Sequence, residues 1–122
     1  MIREMAEILF VYGTLKRGLA LEAEMLRAGG KYLGAATIRG DLYDLGPYPA
    51  AVRGRGTIHG ELYLVPKSGL ARLDRVEGSE YMRRRVVAHC DGGGKERAWV
   101  YFYCRRPGAA RRLPEGRYTV LK

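Results

Sequence analysis

Apolar and polar residues alternate along several short stretches of the chain, and this pattern predicts a protein built mainly of β-strands. Residues 8–12 are instead an almost continuous apolar run, which is typical of a central strand buried on both faces. Residues 57–65 alternate cleanly, so Ile58, Leu62 and Leu64 should share one face of their strand. Further extended segments are predicted at residues 31–45, 50–52, 81–89 and 97–104, with turns at 54–56 and 91–94 and an irregular C-terminal segment at 107–122.

A first short helix is predicted after the first strand. Leu21, Met25 and Ala28 lie at positions i, i+4 and i+7, which is the spacing of one helix face. The helix over residues 19–28 should stop at the glycine pair 29–30. With six or seven mostly antiparallel strands and only two short helices, the sheet should close or curl into a barrel.

A second short helix is predicted over residues 69–78, and Glu77 falls on its apolar side. At about 100° per residue, Glu77 lies between Leu70 and Leu73. A carboxylate that points inward loses hydration, and the last turn of a helix disfavours negative charge, so both effects should raise its pKa. Glu77 is therefore a candidate general acid and base near neutral pH. A carboxylate that bends out to solvent from a fraying last turn is the alternative.

Glu61 is a rival candidate for the role of base. It shares one face of its predicted strand with His59 and Tyr63. If that face points into the barrel, Glu61 competes with Glu77. If the face points outward, Glu61 should instead be paired with an arginine, because buried acids need partners.

The turn that follows the first strand is a candidate anion-binding loop. Gly13, Thr14 and Leu15 come directly after a buried strand, where consecutive backbone N–H groups can converge on an anion. An ordinary strand-to-helix connection would have the same residues. Neither a dinucleotide fingerprint nor a Walker-type phosphate loop is present in the sequence.

Composition narrows the class of protein. Hydrophobic residues make up 47% of the 122 positions, enough for the packed core of one domain. No apolar run approaches the roughly 20 residues that cross a bilayer, and the N-terminal residues do not resemble a signal peptide. We therefore expect a cytoplasmic protein, with no membrane partner, in which Cys90 and Cys104 are reduced thiols. No metal is expected, because the chain has only two histidines, His59 and His89, and its cysteines form no C-x-x-C pattern.

The chain is strongly basic, with a formal net charge of +9. Such a balance can indicate nucleic acid or an anionic small molecule as the partner. In a strand, Arg84 would point away from Arg83 and Arg85, so these three residues do not make one continuous patch. Nucleic acid is accordingly the weaker candidate.

Six sequence blocks together resemble the γ-glutamylcyclotransferase-like superfamily, in its AIG2-like branch. The blocks are FVYGTLKRG at 10–18, GPYPA at 46–50, GELY at 60–63, LDRVEG at 73–78 followed by Tyr81, AWVY at 98–101 and LPEGRY at 113–118. They occur in the family order and span nearly the whole chain. The resemblance implies one γ-glutamylcyclotransferase-like domain over residues 1–122. Its fold should be α+β, a small mixed and mainly antiparallel β-barrel with short helices and a pocket at one end.

The resemblance also implies roles for single residues. The loop that holds the acyl substrate in the family falls on Tyr12, Gly13, Thr14 and Leu15, which would bind through backbone N–H groups. The catalytic acid of the family falls on Glu77, the residue that the helical spacing had already selected. Tyr48 and Tyr81 lie in matching blocks and are further candidates for substrate binding.

The implied reaction is an intramolecular acyl transfer that releases 5-oxoproline from a γ-glutamyl amine or γ-glutamyl amino acid. Glu77 would take the proton of the attacking α-amine and return one to the departing amine, without a metal or an organic cofactor. Residues 19–22 depart from the polar stretch of many family members, so recognition of the leaving end of the substrate stays open. The oligomeric state also stays open. The alternative function is a small-molecule binding module with the same pocket and no turnover.

Overall fold

The computed structural model describes residues 5–13, 22–46 and 48–118 of the chain. Within these ranges it has six strands and two helices, in agreement with the mainly β pattern of the sequence. The elements are β1 (Ala6–Val11), α1 (Glu22–Arg27), β2 (Lys31–Asp44), β3 (Pro49–Pro66), α2 (Lys67–Glu77), β4 (Tyr81–Cys90), β5 (Lys95–Tyr103) and β6 (Arg111–Leu113). No helix in the described ranges is both long and apolar enough to span a membrane.

Five strands close into a barrel in the order β3-β1-β5-β4-β2, and β2 pairs again with β3. Of the pairings between described strands, only that of β1 with β5 is parallel. The short strand β6 adds to β2 outside this ring. The small mixed and mainly antiparallel barrel predicted from the sequence is confirmed.

The first strand is the centre of the fold, as its continuous apolar run predicts. Leu9 and Phe10 are 0% and 1% exposed, because opposite faces of β1 are covered by different parts of the molecule. Phe10 points into the barrel with Ile38, Ile58 and other apolar side chains. Leu9 packs outside the barrel, in a cluster that contains Leu73 of α2 and Met25 of α1. Both helices are therefore held on the outer face of β1, β3 and β5.

Strand β3 is continuous from Pro49 to Pro66, whereas the sequence predicted two strands separated by a turn at residues 54–56. The pairing with β2 shifts where Arg39 lies opposite Thr57 and Asp41 opposite Val52, so the intervening residues bulge without ending the strand. The carboxylate of Asp41 accepts the N–H of Gly56 at 3.1 Å, which holds this bulge in place.

One other prediction, for the C-terminal segment, differs from the structure. The C-terminal segment was expected to be irregular, but Arg111–Leu113 pairs with β2 as β6, with an ion pair between Arg112 and Asp41 at 3.1 Å. Helix α1 spans Glu22–Arg27, and the earlier residues of the predicted helix lie outside the described ranges. The predicted turn at 91–94 is present between β4 and β5, with positive φ at Gly93 and Gly94.

Candidate active site

Helix α2 ends with Glu77 at the rim of the barrel. Leu70 and Leu73 are 2% and 0% exposed and fix the orientation of the helix against the outer cluster. Gly78 adopts φ 82°, which only glycine reaches easily, and its N–H donates to the carbonyl of Asp74 at 3.2 Å. The helix therefore stops at the predicted residue, and Glu77 lies partly buried on the side that its spacing predicts.

A pocket of about 220 Å³ lies where β1 and α2 both end. Its lining is mostly aromatic or aliphatic, with the carboxylates of Glu77 and Glu80 as the charged groups that the described residues contribute. The lining residues are Phe10, Val11, Tyr12, Gly13, Leu45, Tyr48, Pro49, Val76, Glu77, Glu80, Tyr81 and Tyr101. Five of the seven residues predicted for the site, namely Tyr12, Gly13, Tyr48, Tyr81 and Glu77, thus line one pocket. The other two, Thr14 and Leu15, lie outside the described residues.

Burial raises the pKa of Glu77 from 4.5 to about 7. The direction is the one expected for a carboxylate that loses hydration, and no ion pair with a described residue offsets it. At neutral pH the side chain is then present in both protonated and ionised forms. Such a group can accept a proton and donate one within the same cycle.

Two tyrosine side chains form fixed walls next to Glu77. The hydroxyl of Tyr12 donates to the carbonyl of Tyr101 and accepts the N–H of Ala51 at 3.4 Å. The hydroxyl of Tyr81 donates to the carbonyl of Pro49 at 2.8 Å. Burial, together with the charge of Glu77, raises the pKa of both hydroxyls, so they stay neutral and act as positioned walls rather than as acids. Tyr48 is exposed and lies at the mouth of the pocket.

Gly13 gives the pocket its shape at the end of β1. A Cβ atom at this position would lie 2.3 Å from Cγ of Pro49, a distance that atoms do not tolerate. Only glycine therefore lets β1 approach the start of β3 this closely. The close approach brings the backbone of Gly13, the first residue of the predicted anion-binding loop, to the wall of the pocket.

The last turn of α2 is tied to the barrel by Asp74, which the sequence analysis did not select. Arg83 donates to its carboxylate from Nε at 2.9 Å and Nη2 at 3.1 Å, and the Tyr101 hydroxyl donates at 2.6 Å. Burial raises the pKa of Asp74, but these hydrogen bonds outweigh it and lower the pKa overall. The available signal was that Asp74 lies three residues before Glu77 in the same sequence block.

Glu61 lies on β3 opposite Val11 and is partly buried. It does not line the pocket that the described residues form. His59, on the same strand face, lies 3.1 Å from Arg117. The structure therefore separates Glu61 from Glu77, and the competition between them for one site does not arise in this pocket.

Known proteins share this closed mixed barrel and much of its sequence. The chain belongs to the family described as gamma-glutamyl cyclotransferase, AIG2-like, whose model matches residues 9–120. The gamma-glutamylcyclotransferase family protein YtfP of Escherichia coli is 39% identical over 100 residues, which cover 80% of this chain and 82% of that protein.

Solved structures support the same assignment. A protein of Pyrococcus horikoshii superposes with a TM-score of 0.74 at 30% identity, over 91% of this chain and 88% of that one. An AIG2-like protein of Mus musculus superposes with a TM-score of 0.74 at 26% identity, over 84% of this chain and 80% of that one. The family resemblance and the barrel fold expected from the sequence are thus confirmed.

Proposed function

We propose that this protein is an enzyme that releases 5-oxoproline from a γ-glutamyl amine or a γ-glutamyl amino acid. The observation that carries the proposal is Glu77, a carboxylate with a pKa of about 7 at the wall of a pocket of about 220 Å³. Membership of the gamma-glutamyl cyclotransferase, AIG2-like family gives the class of reaction. The position of Glu77 at the wall of the pocket supports its role in proton transfer.

The proposed reaction needs only proton transfer and close positioning. The α-amine of the γ-glutamyl group attacks its own γ-carbonyl, a new C–N bond closes the five-membered ring, and Glu77 takes the proton of the amine. Collapse of the tetrahedral intermediate breaks the original amide bond, and Glu77 returns a proton to the departing amine. Because both reacting groups belong to one molecule, holding it in a ring-closing conformation supplies much of the rate.

The α-carboxylate of the substrate needs partners that offset its negative charge. Among the described residues, no Lys, Arg or His lines this pocket. Backbone N–H groups at the end of β1 are then the natural partners, because consecutive N–H groups in a glycine turn can bind an anion. Gly13 lies at this place, and Thr14 and Leu15 are proposed to continue the same loop.

The test is product release by variants of two acids in the same pocket. Purified protein is incubated with a panel of γ-glutamyl amines, γ-glutamyl dipeptides and glutathione, and 5-oxoproline is measured by mass spectrometry. Glu77→Gln should lower kcat by about 10²-fold or more on the best substrate, as expected for the loss of a general acid and base. The matched control is Glu80→Gln, since Glu80 lines the same pocket but is exposed. It should retain kcat within about threefold.

Full activity of Glu77→Gln would exclude this mechanism. Should the wild-type protein be stabilised against heat by a panel member without releasing 5-oxoproline, the pocket belongs to a binding module instead.

A further inference from the structure

The barrel wall is incomplete between β2 and β4. These strands pair only where Ala36 lies opposite Cys90 and Thr37 opposite His89, whereas β4 pairs with β5 along almost its whole length. Beyond the two paired positions the strands separate around a groove of about 540 Å³, which we call the seam. Its volume falls within the range of about 300–1,000 Å³ that is usual for small-molecule sites. It shares no lining residue with the Glu77 pocket.

The seam is strongly positive. Four arginines from four strands line it, and so does His89, while no Asp or Glu is among its described lining residues. Arg85 has an ion pair with Glu7 at 3.4 Å. Arg39, Arg53 and Arg97 form no ion pair with any described residue. Like charges that surround one groove repel each other and weaken the fold, and a bound anion would remove that penalty.

The position of Arg53 is set by the fold. The bulge of β3 that presents Arg53 packs tightly on the carboxylate of Asp41. A Cβ atom at Gly54 would lie 2.1 Å from this carboxylate, and a Cβ atom at Gly56 would lie 2.6 Å from it. The guanidinium of Arg53 lies 5.4 Å from the centre of the Phe102 ring, which holds it at the wall of the groove. Because this side chain is already held in place, it loses less conformational entropy when a ligand binds than a freely moving surface arginine does.

We propose that the seam binds a small molecule that carries two or more linked phosphates. The planar fork of arginine matches phosphate oxygens in a bidentate manner, and several arginines around one groove suit several linked phosphates. Val86, Val87 and Phe102 supply apolar wall for an attached organic group, as in a nucleoside diphosphate. A nucleic-acid strand would need a longer basic track, whereas Arg111 and Arg112 beyond the seam are paired with Asp44 and Asp41.

Isothermal titration calorimetry tests the proposal with phosphate, pyrophosphate, ADP and a single-stranded RNA oligomer, in low salt with EDTA. Pyrophosphate and ADP should bind at one site per chain, and phosphate at least tenfold more weakly. Tighter binding of ADP than of pyrophosphate would assign the ligand to nucleotides, and equal binding would assign it to free polyphosphate. Preference for the RNA oligomer over ADP would overturn the proposal, as would the absence of saturable binding at millimolar ligand.

Paired variants separate a site from general charge. The double substitution Arg53→Gln and Arg97→Gln should weaken ADP binding at least tenfold. The double substitution Arg105→Gln and Arg106→Gln changes the net charge equally at exposed residues outside the seam, and should leave the dissociation constant within twofold. Equal losses in both would overturn the proposal. If the first variant unfolds, Arg53→Lys with Arg97→Lys keeps the charge and should still lose at least threefold, because lysine lacks the fork.

Discussion

At the scale of the single residue, the proposed reaction depends on how much hydration the carboxylate of Glu77 loses on folding. The unfolded chain leaves this group hydrated, with a pKa near 4.5, and the folded protein raises that pKa to about 7. The folded state therefore binds the proton more tightly than the unfolded state does. By linkage, ionisation of Glu77 weakens the fold.

This difference predicts how stability changes with pH. Between pH 4.5 and pH 7 the folded protein holds a proton on Glu77 that the unfolded chain releases, so the contribution of this residue to stability falls as pH rises. The shift corresponds to about 3 kcal/mol in total. The free energy of unfolding of Glu77→Gln, minus that of the wild type, should accordingly increase by up to ~3 kcal/mol from pH 4 to pH 8. Urea denaturation at several pH values measures it.

The control for this series is Glu80→Gln, a substitution of an exposed carboxylate in the same pocket. A change with pH as large for Glu80→Gln as for Glu77→Gln would mean that the burial of Glu77 is not its cause. A flat difference for Glu77→Gln would show that Glu77 titrates alike in the folded and unfolded chain.

The position of Glu77 could be predicted from sequence because it follows from local spacing alone. Once Leu70 and Leu73 face the core, a residue four positions after Leu73 must lie on the same side of the helix. The walls around it could not be predicted in this way. Tyr12 follows β1 and is far from Glu77 in sequence, so only the folded barrel brings the two together. Tyr81 is close to Glu77 in sequence, but the carbonyl that fixes its hydroxyl belongs to the distant Pro49.

At the scale of the element, the last turn of α2 is positioned by one carboxylate. Asp74 receives three hydrogen bonds, two from Arg83 of β4 and one from Tyr101 of β5, so the helix end is tied to two strands at once. Glu77 lies in the same turn. Any movement of this turn therefore changes the distance between the acid and the pocket.

Asp74→Asn should weaken this attachment. We expect a loss of about 1 kcal/mol in the free energy of unfolding, since solvent reaches the pair and screens it. We also expect kcat for 5-oxoproline release to fall several-fold with little change in KM, because Asp74 positions Glu77 and does not line the pocket. The control is Asp91→Asn in the exposed hairpin turn. Unchanged kcat in Asp74→Asn would mean that the attachment does not position the acid.

The elements that could be predicted from sequence are those with local signals. Three such signals each occupy only a few consecutive residues. They are the apolar run of β1, the glycine that ends α2 and the glycine-rich turn after β4. The β3 bulge was missed because the carboxylate that holds it, Asp41, lies 15 residues before Gly56. The strand β6 was missed for the same kind of reason, since its partner β2 is distant in sequence.

At the scale of the whole molecule, the barrel is held from its centre, and its weakest pairing is the one between β2 and β4. β1 pairs with β3 and β5 and is covered by apolar clusters on both faces. β4 pairs with β5 along almost its whole length but with β2 at two positions only, because the seam separates most of this edge from β2. Closure into a barrel could be predicted from the number and length of the strands. The strand order could not, since the parallel pairing of β1 with β5 joins opposite ends of the chain.

Hydrogen exchange should show this difference. Backbone amides of Leu9 and Val11 should exchange only through global unfolding, because their strand is buried on both faces and paired with β3 along its whole length. Amides of residues 82–87 that do not bond to β5 should exchange at least tenfold faster, through local opening at the seam. Exchange by NMR gives each rate. Equal protection of the two groups would mean that the barrel is closed all the way around in solution.

The central claim is that folding holds Glu77 half-protonated at neutral pH, next to the substrate. It is tested most directly by ¹³C NMR titration of the glutamate side-chain carboxyl groups, with the Glu77→Gln spectrum identifying the signal. The account predicts that this carboxyl titrates with a pKa of about 7. A midpoint near 4.5, the value of an ordinary hydrated glutamate, would contradict it.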